Sequence, residues 1–366
     1  MINPPRTLLC LGDSNTWAGH WVDMVDAALA VRFPGRTVDV VNAGLPSETL
    51  SGLSEDGHAG GAFPRPVVFE RLERVLDAHR PDTVAACYGM NDGIYRPLDE
   101  KLFSAFRHGV ERLERMVDAR GARLFWVTPP PFDRKRFDAK APFDYDEVLA
   151  AYSRWMLSRK HIPVADARTP LLRHLARRRR HQPDYTLASD GVHIHAFAHG
   201  FLARALLEKM GVIPSRSPLV IESEGKFTVA PPVPFDPAWT REWDGEEAVR
   251  RAWTAAPLVF PTALECNYRI REAGKPIATV HGNVLRIGFD LSQVSAWSGH
   301  RRSAAVFSAV VGRERLLRDA WLFRTGHERP GMPTGKPIRS ALREASEFTD
   351  RITADVLGSE LEIERA

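Results

Sequence analysis

The chain is short of the residues that would place it in several common classes. It has three cysteines in 366 residues, Cys10, Cys87 and Cys266, too few and too scattered for a disulfide framework or a zinc site. Cys10 and Cys87 fall in apolar runs, where a free thiol behaves as a small buried hydrophobe. No apolar run approaches the roughly 18 residues of a membrane-spanning helix, so no membrane partner is expected. The opening "MINPPRTLLCLGD" lacks the long apolar core and small-residue cleavage site of a signal peptide, and the expected location is cytoplasmic. Zinc-finger and basic-aromatic motifs are missing, which argues against a nucleic-acid partner. No internal repeat or low-complexity tract occurs.

Charge of one sign is also scarce, with 50 Lys and Arg against 46 Asp and Glu. The visible concentration is Arg177 to Arg180, closing "TPLLRHLARRRRH". It reads as a solvated, cation-rich helix C-terminus, which the helix dipole favours.

At 44% hydrophobic, the chain has enough apolar material for a sizeable core and two domains. Strand-like apolar runs fall at Leu8–Leu11, Val38–Val41, Thr83–Tyr88, Leu124–Thr128 and Ile162–Asp166. Helical spacing lies between them, at Trp21–Val31, Val67–His79, Leu102–Ala119 and Tyr145–Leu157. In "ERLERVLDAH", for example, Leu72, Val75 and Leu76 share one face. A further helix, "AFAHGFLARALLEKMG", ends with Gly211 as its C′ residue. This alternation predicts a three-layer α/β sandwich on a parallel sheet, over residues 1–212. Proline-rich, aperiodic stretches ("VIPSRSP", "PPVPFDP") mark a boundary. Residues 213–366 read as a smaller α+β accessory region. Its expected parts are a hairpin in "NYRIREAGKPIATV" and helices at Ala304–Leu317 and Ile338–Ile352.

Ligands of open parallel sheets bind beyond the carboxyl ends of the strands. In this sequence those ends carry chemistry. The first strand runs into "GDS", Gly12-Asp13-Ser14. The second ends at Asn42-Ala43-Gly44, and the third at "YGMND", with Asn91 and Asp92. Asp190 and His193 stand in "SDGVHIH" before the last helix. A serine hydroxyl needs a base to take its proton, and histidine has a suitable pKa. The base needs a carboxylate on its other nitrogen, and Asp190 is three residues away. An oxyanion needs donors, and the Ser14 N–H, the Gly44 N–H and the Asn91 side-chain amide are the candidates.

These four blocks, "GDSNT", "NAGLPSET", "GMND" and "DGVH", resemble the SGNH/GDSL hydrolase superfamily in order and spacing. They span most of residues 8–200, and the C-terminal extension is similar to that of large bacterial members. The resemblance implies a flavodoxin-like sheet and acyl transfer from an ester without a cofactor or metal. It gives Ser14 the role of nucleophile, with Asp190 and His193 completing a triad and Gly44 and Asn91 lining an oxyanion hole. The expected partner is a small-molecule or glycan ester, with a carbohydrate O-acetyl group the leading expectation. The alternatives are a lipid or thioester hydrolase, an acyltransferase, and a non-catalytic scaffold on the same fold.

Two departures from the common pattern stand out. Position 15 is Asn, which either contacts substrate or satisfies the turn, and His195 stands where a proline is common. His195 and His199 are read as packing or surface histidines. Trp17 and Tyr95 flank catalytic blocks, either as substrate-binding rings or as packing at the rim. Trp239, Trp243, Trp253, Trp297 and Trp321 form either a core or a binding face. The prolines of "TPPP" at 128–131 are expected to wall the cleft.

Overall fold

A strand with apolar residues on both faces requires a layer above it and a layer below. β1 (Thr7–Gly12) is such a strand, buried at every position after Thr7. The computed structural model describes residues 3–133, 143–213, 218–234, 255–325 and 336–366. β1 pairs in parallel with β2 (Asp39–Gly44) on one side and β3 (Thr83–Cys87) on the other. β4 (Arg123–Val127) and β5 (Val164–Ala165) continue the sheet beyond β3, again in parallel. The strand order is therefore β2-β1-β3-β4-β5.

Successive side chains of β1 point to opposite faces. Leu8 and Cys10 join one core with α2 (His20–Arg32) and α7 (Ala196–Lys209). Leu9 and Leu11 join the other, with α3 (Leu72–His79), α4 (Glu100–Asp118) and α5 (Asp146–Ser158). This is the three-layer α/β sandwich read from the sequence. The chain reverses its direction of progress across the sheet between β1 and β3, and the loops leaving those strands diverge around a crevice.

The helix expected over Val67–His79 is broken in two. A 3₁₀ turn covers Val68–Glu70, and Arg71 has non-helical torsions before α3 begins. Arg71 turns inward to Glu48, with Nε 2.6 Å from Oε1, and the two side chains are 3% and 0% exposed. Its Nη2 donates to Glu48 Oε2 and to the Ala43 carbonyl, and the Tyr88 hydroxyl donates to the same Oε2 at 2.6 Å. This buried network fastens the end of β2, the end of β3 and the start of α3 to one another.

Beyond residue 213 two kinds of structure occur. β9 (Asn267–Glu272) and β10 (Lys275–His281) form the expected hairpin, turning at Ala273 and Gly274 with φ of 47° and 77°. With β7 (Gly225–Val229) and β12 (Ser359–Arg365) they build an antiparallel sheet in the order β10-β9-β12-β7. β6 (Leu219–Val220), β8 (Pro257–Val259) and β11 (Phe289–Asp290) form a smaller sheet. Tyr268, Ile270, Leu361 and Ile363 centre a separate core there. Trp297 is buried in that core at 1% exposure and presents no binding face. Trp321 packs edge-on against His79 at 4.0 Å. Trp239, Trp243 and Trp253 lie outside the described residues.

The helices behave differently. Following the short α8 (Gly282–Ile287), α9 (Gly299–Thr325) and α10 (Ile338–Val356) run longer than their sequence patterns suggested. Val306 and Val310 of α9, with Ile352 and Val356 of α10, belong to the same core as α2 and α7. A buried ion pair between Arg313 of α9 and Asp26 of α2 fastens them. Among the described residues, no helix is long and apolar enough to cross a membrane.

Removing one partner of the Glu48–Arg71 pair would leave its mate buried and uncompensated. Arg71→Met and Glu48→Gln should each cost about 3–5 kcal/mol in urea denaturation. The double variant should cost less than the two singles together; full additivity would show that the pair is not coupled.

Candidate active site

Ser14 begins α1 (Ser14–Trp17), a single turn directly after β1. Asp13 caps it, accepting from the Asn15 N–H at 2.9 Å. Burial pushes the Asp13 carboxyl up to about 7; the Asn15 N–H pulls against this and nearby Asp92 adds to it. Gly12 is required immediately before it, because a Cβ there would sit 2.0 Å from Thr16 Oγ1 and 2.7 Å from the Cys87 carbonyl. The bare α-carbon lets the turn fold tightly over the end of the sheet.

The loop before α7 brings the other groups. His193 Nε2 stands 2.9 Å from Ser14 Oγ, and His193 Nδ1 stands 2.5 Å from Asp190 Oδ2. With the Nδ1 proton on the carboxylate side, Nε2 turns its lone pair to the serine, a tautomer assigned from these contacts. The second Asp190 oxygen accepts the backbone N–H groups of Val192 and His193 at 2.9 and 2.8 Å. Partial burial raises the Asp190 carboxyl, but His193 and these amides outweigh it and hold it below the usual range. Hydroxyl, imidazole and carboxylate thus form a relay suited to nucleophilic attack.

Asn15 is not a substrate contact. It is 2% exposed, and both polar atoms face the protein. Its Nδ2 donates to the Val192 carbonyl at 3.4 Å, and its Oδ1 accepts the Ile194 N–H at 3.2 Å. The residue beside the serine thereby straddles the residue that delivers the imidazole.

Gly44 also departs from its expected place as an oxyanion donor. Its N–H donates to Asn42 Oδ1 at 3.0 Å, and a Cβ on it would stand 2.3 Å from the Trp17 nitrogen. Glycine is needed there so that α1 can pack on the end of β2. The next turn carries Ser47, a non-glycine residue in the left-handed region at φ 68°. Leu45 and Glu48 donate their N–H groups within this turn, to Gly12 and Leu45, whereas the Ser47 N–H has no partner among the described residues. Asn91 lies alongside: its Nδ2 is 3.3 Å from the Glu48 carbonyl, and its Oδ1 accepts from the Tyr95 hydroxyl at 3.3 Å. The Tyr95 hydrogen bond orients the amide with its NH₂ toward the 47–48 turn.

The two flanking aromatics are engaged by protein groups. The Trp17 ring lies 4.4 Å beneath the Arg318 guanidinium of α9, and Arg318 Nη1 donates to the Trp17 carbonyl at 2.9 Å. Tyr95 packs on Tyr145 at 4.8 Å with Arg65 over its ring at 5.3 Å. His195 meets Ser189 Oγ at 3.5 Å through Nε2 and stacks on Phe197 at 6.2 Å. His199 is buried against His20, and burial pushes it well below the usual histidine range.

Sequence reasoning passed over the support of the 186–191 loop. Asp133, at the end of "TPPPFD", accepts from Thr186 Oγ1 at 2.7 Å and the Leu187 N–H at 3.0 Å. Arg179 closes on its other oxygen at 2.6 Å, and the Asp133 N–H donates to the Gly191 carbonyl at 2.9 Å. The arginine run is therefore in part a fastener for the loop that carries Asp190. Among the described residues, no cluster of His, Cys, Asp and Glu is arranged to hold a metal ion.

A family model described as "GDSL-like Lipase/Acylhydrolase family" matches residues 10–200. The chain belongs to this GDSL-like family. No curated protein matches the sequence. Among solved structures, BT4096, a gut microbial diltiazem-metabolizing enzyme, is 16% identical with a TM-score of 0.69. The match covers 98% of this chain and 97% of that one, so the likeness of fold includes the C-terminal region of this GDSL-like protein. A catalytic mutant of Axe2, an acetylxylan esterase from Geobacillus stearothermophilus, is 20% identical with a TM-score of 0.44. That match covers 58% of this chain and 97% of Axe2.

The Asn15 bridge predicts a kinetic signature. Asn15→Ala should lower kcat by about 10²-fold, the scale for displacing catalytic groups by roughly 1 Å, with KM little changed. Unchanged kcat in a folded Asn15→Ala variant would show that the two loops hold their spacing without it.

Proposed function

We propose that the protein is a serine esterase that works through an acyl-enzyme. The carrying observation is the continuous contact Ser14 Oγ–His193 Nε2–Asp190, at 2.9 and 2.5 Å. In this reading Ser14 attacks the ester carbonyl as His193 takes its proton, and Asp190 stabilises the resulting imidazolium. His193 then returns the proton to the leaving alcohol, and water repeats the cycle on the acyl-serine. The oxyanion donors are the Ser14 N–H, the Asn91 amide and the Ser47 N–H, the last replacing Gly44. These groups act on charge that appears only in the transition state.

The proposed substrate is a short acyl group, acetyl first, on a bulky polar alcohol such as a sugar. The His193 and Asp190 side chains are 56% and 54% exposed, so the reacting edge is open. An open edge admits a large alcohol, while a long acyl chain requires an enclosed apolar channel to gain binding energy.

Ser14→Ala should lose roughly 10⁴- to 10⁶-fold in kcat on p-nitrophenyl acetate, together with fluorophosphonate labelling. Activity retained by that variant would remove the mechanism. Asn91→Ala should lower kcat by about 10²–10³ with a smaller change in KM. A panel comparing acetylated sugars with octanoyl esters should favour the acetyl sugars.

A further expectation concerns pH. Asp190 is held below the usual carboxylate range and stays ionised, so it does not supply an acidic limb of kcat/KM near neutral pH. Protonated His193 cannot accept from Ser14, and activity should therefore fall as pH falls. Asp190→Asn should cost up to about 10⁴-fold in kcat through the wrong tautomer. His195→Ala should keep the limb. Loss of the limb in His195→Ala, with its retention in His193→Ala, would assign the base to the wrong residue here.

A further inference from the structure

Where the chain passes from α1 into α2, it faces α9 across a cavity of about 550 Å³, a volume typical of small-molecule sites. Two carboxyls line it, Asp23 from α2 and Glu314 from α9, at 7% and 4% exposure. Asp23 Oδ1 and Glu314 Oε1 are both buried and without a hydrogen-bond donor. Glu314 shares a side-chain hydrogen bond with Asp26, but the nearby cations donate to neither of these two oxygens. Arg313 closes on Asp26, and its Nε is 3.8 Å from Glu314 Oε1, beyond hydrogen-bond reach. Arg318 is engaged by the Trp17 carbonyl, the Trp17 ring and Asp319.

A different group lies free on the same wall. Arg315 lines the cavity, is exposed, and has no partner among the described residues. Phe307 and Val311, one turn apart on α9, supply apolar surface. The protein thus offers two unanswered acceptors inside, one unanswered guanidinium outside, and apolar surface on the same helix.

We propose that this cavity is a second binding site, for a small zwitterion. Its ammonium group sits on Asp23 and Glu314, its anionic group meets Arg315, and a short apolar spacer lies on Phe307 and Val311. An ammonium carries donors and no acceptor, which is what two orphan carboxyl oxygens require. Burial, with Asp26 adding and Arg318 opposing, pushes Asp23 up to about 8, and burial with Asp26 raises Glu314 well above its usual range. Arg318 and Arg313 oppose these rises only in part and donate to neither Asp23 Oδ1 nor Glu314 Oε1, and a bound ammonium supplies the missing donor. The site uses residues from both regions of the chain and is distinct from Ser14.

The test is calorimetric titration of the full chain at neutral pH with 5-aminopentanoate, and with pentylammonium, pentanoate and 1-pentanol as matched arms. The zwitterion should bind at a single site, pentylammonium about tenfold more weakly, and the other two about a hundredfold more weakly. Asp23→Asn and Glu314→Gln should each weaken the zwitterion at least about tenfold. Arg315→Met should reduce it to the pentylammonium level. Ser308→Trp, on the exposed rim, should block the cavity without touching either carboxyl, and keeps the test decisive if a carboxyl variant fails to fold. Absence of millimolar binding overturns the proposal, as does unchanged affinity in Ser308→Trp. Equal binding of pentanol would make the cavity merely apolar, and equal binding of pentanoate would make it an anion site on Arg315. Equal binding of pentylammonium would leave a cation site and remove the zwitterion.

Discussion

Asn15 is next to Ser14 in sequence and next to Val192 and Ile194 in space, and through its two polar atoms the turn after β1 and the loop before α7 become one piece. Without such a bridge, the serine and the histidine would each belong to a separate loop, with separate motions. The bridge is buried, so water does not compete for it. The other constraints on α1 act around it. Asp13 caps the start of the turn, Gly12 lets Thr16 close over the sheet, and Arg318 holds the carbonyl at its far end. The last contact gives the C-terminal helices a role in the geometry of the reacting edge. A cation at a helix C-terminus is also favourably placed against the dipole.

Buried carboxylates recur beneath this edge for one physical reason. Loops that leave parallel strands carry backbone N–H groups without ladder partners, and an unpaired buried amide is costly. Asp92 Oδ1 takes the N–H groups of Leu50 and Ser51 at 2.7 and 2.8 Å, and Asp133 serves the 186–191 loop in the same way. Glu48 instead gathers side chains, Arg71 and Tyr88, and so fixes the turn that presents Ser47. Each carboxylate acts on a different loop, and together they make the crevice rigid before any substrate arrives. Such preorganisation is what an oxyanion site needs.

The parallel sheet was legible because continuous apolar runs alternated with amphipathic segments, and neither pattern depends on distant residues. Ser14, Asn91, Asp190 and His193 were legible as positions because each follows a strand or precedes a helix in a polar block. Roles that depend on long-range contact were not. Asn15 looks the same in sequence whether it meets water, substrate or Ile194. Gly44 drew attention as the only glycine of its block, but its bare α-carbon answers to Trp17 rather than to a ligand. Ser47 gave no signal, since serine does not announce a positive φ. The break in the helix at Arg71 was hidden as well: the arginine fits a helical pattern, and only the presence of Glu48 draws it out of register. The Arg318 contact joins residues some three hundred positions apart and has no local signature.

The antiparallel sheet beyond residue 213 has its own implication for how the protein is made. β12 lies between β9 and β7, yet it is the last of the three to be synthesised. Until residues 359–365 emerge, β9 and β7 have no mutual pairing and each presents an open edge. The parallel sheet of the first 165 residues needs no such late arrival, so Ser14, His193 and Asp190 can come together while the second sheet still waits. A chain halted before β12 would thus hold every group of the relay and still expose two unfinished strands, the kind of surface that chaperones and proteases recognise. The sheet closes only once residues 359–365 have been made, a dependence written by the order of its strands along the chain.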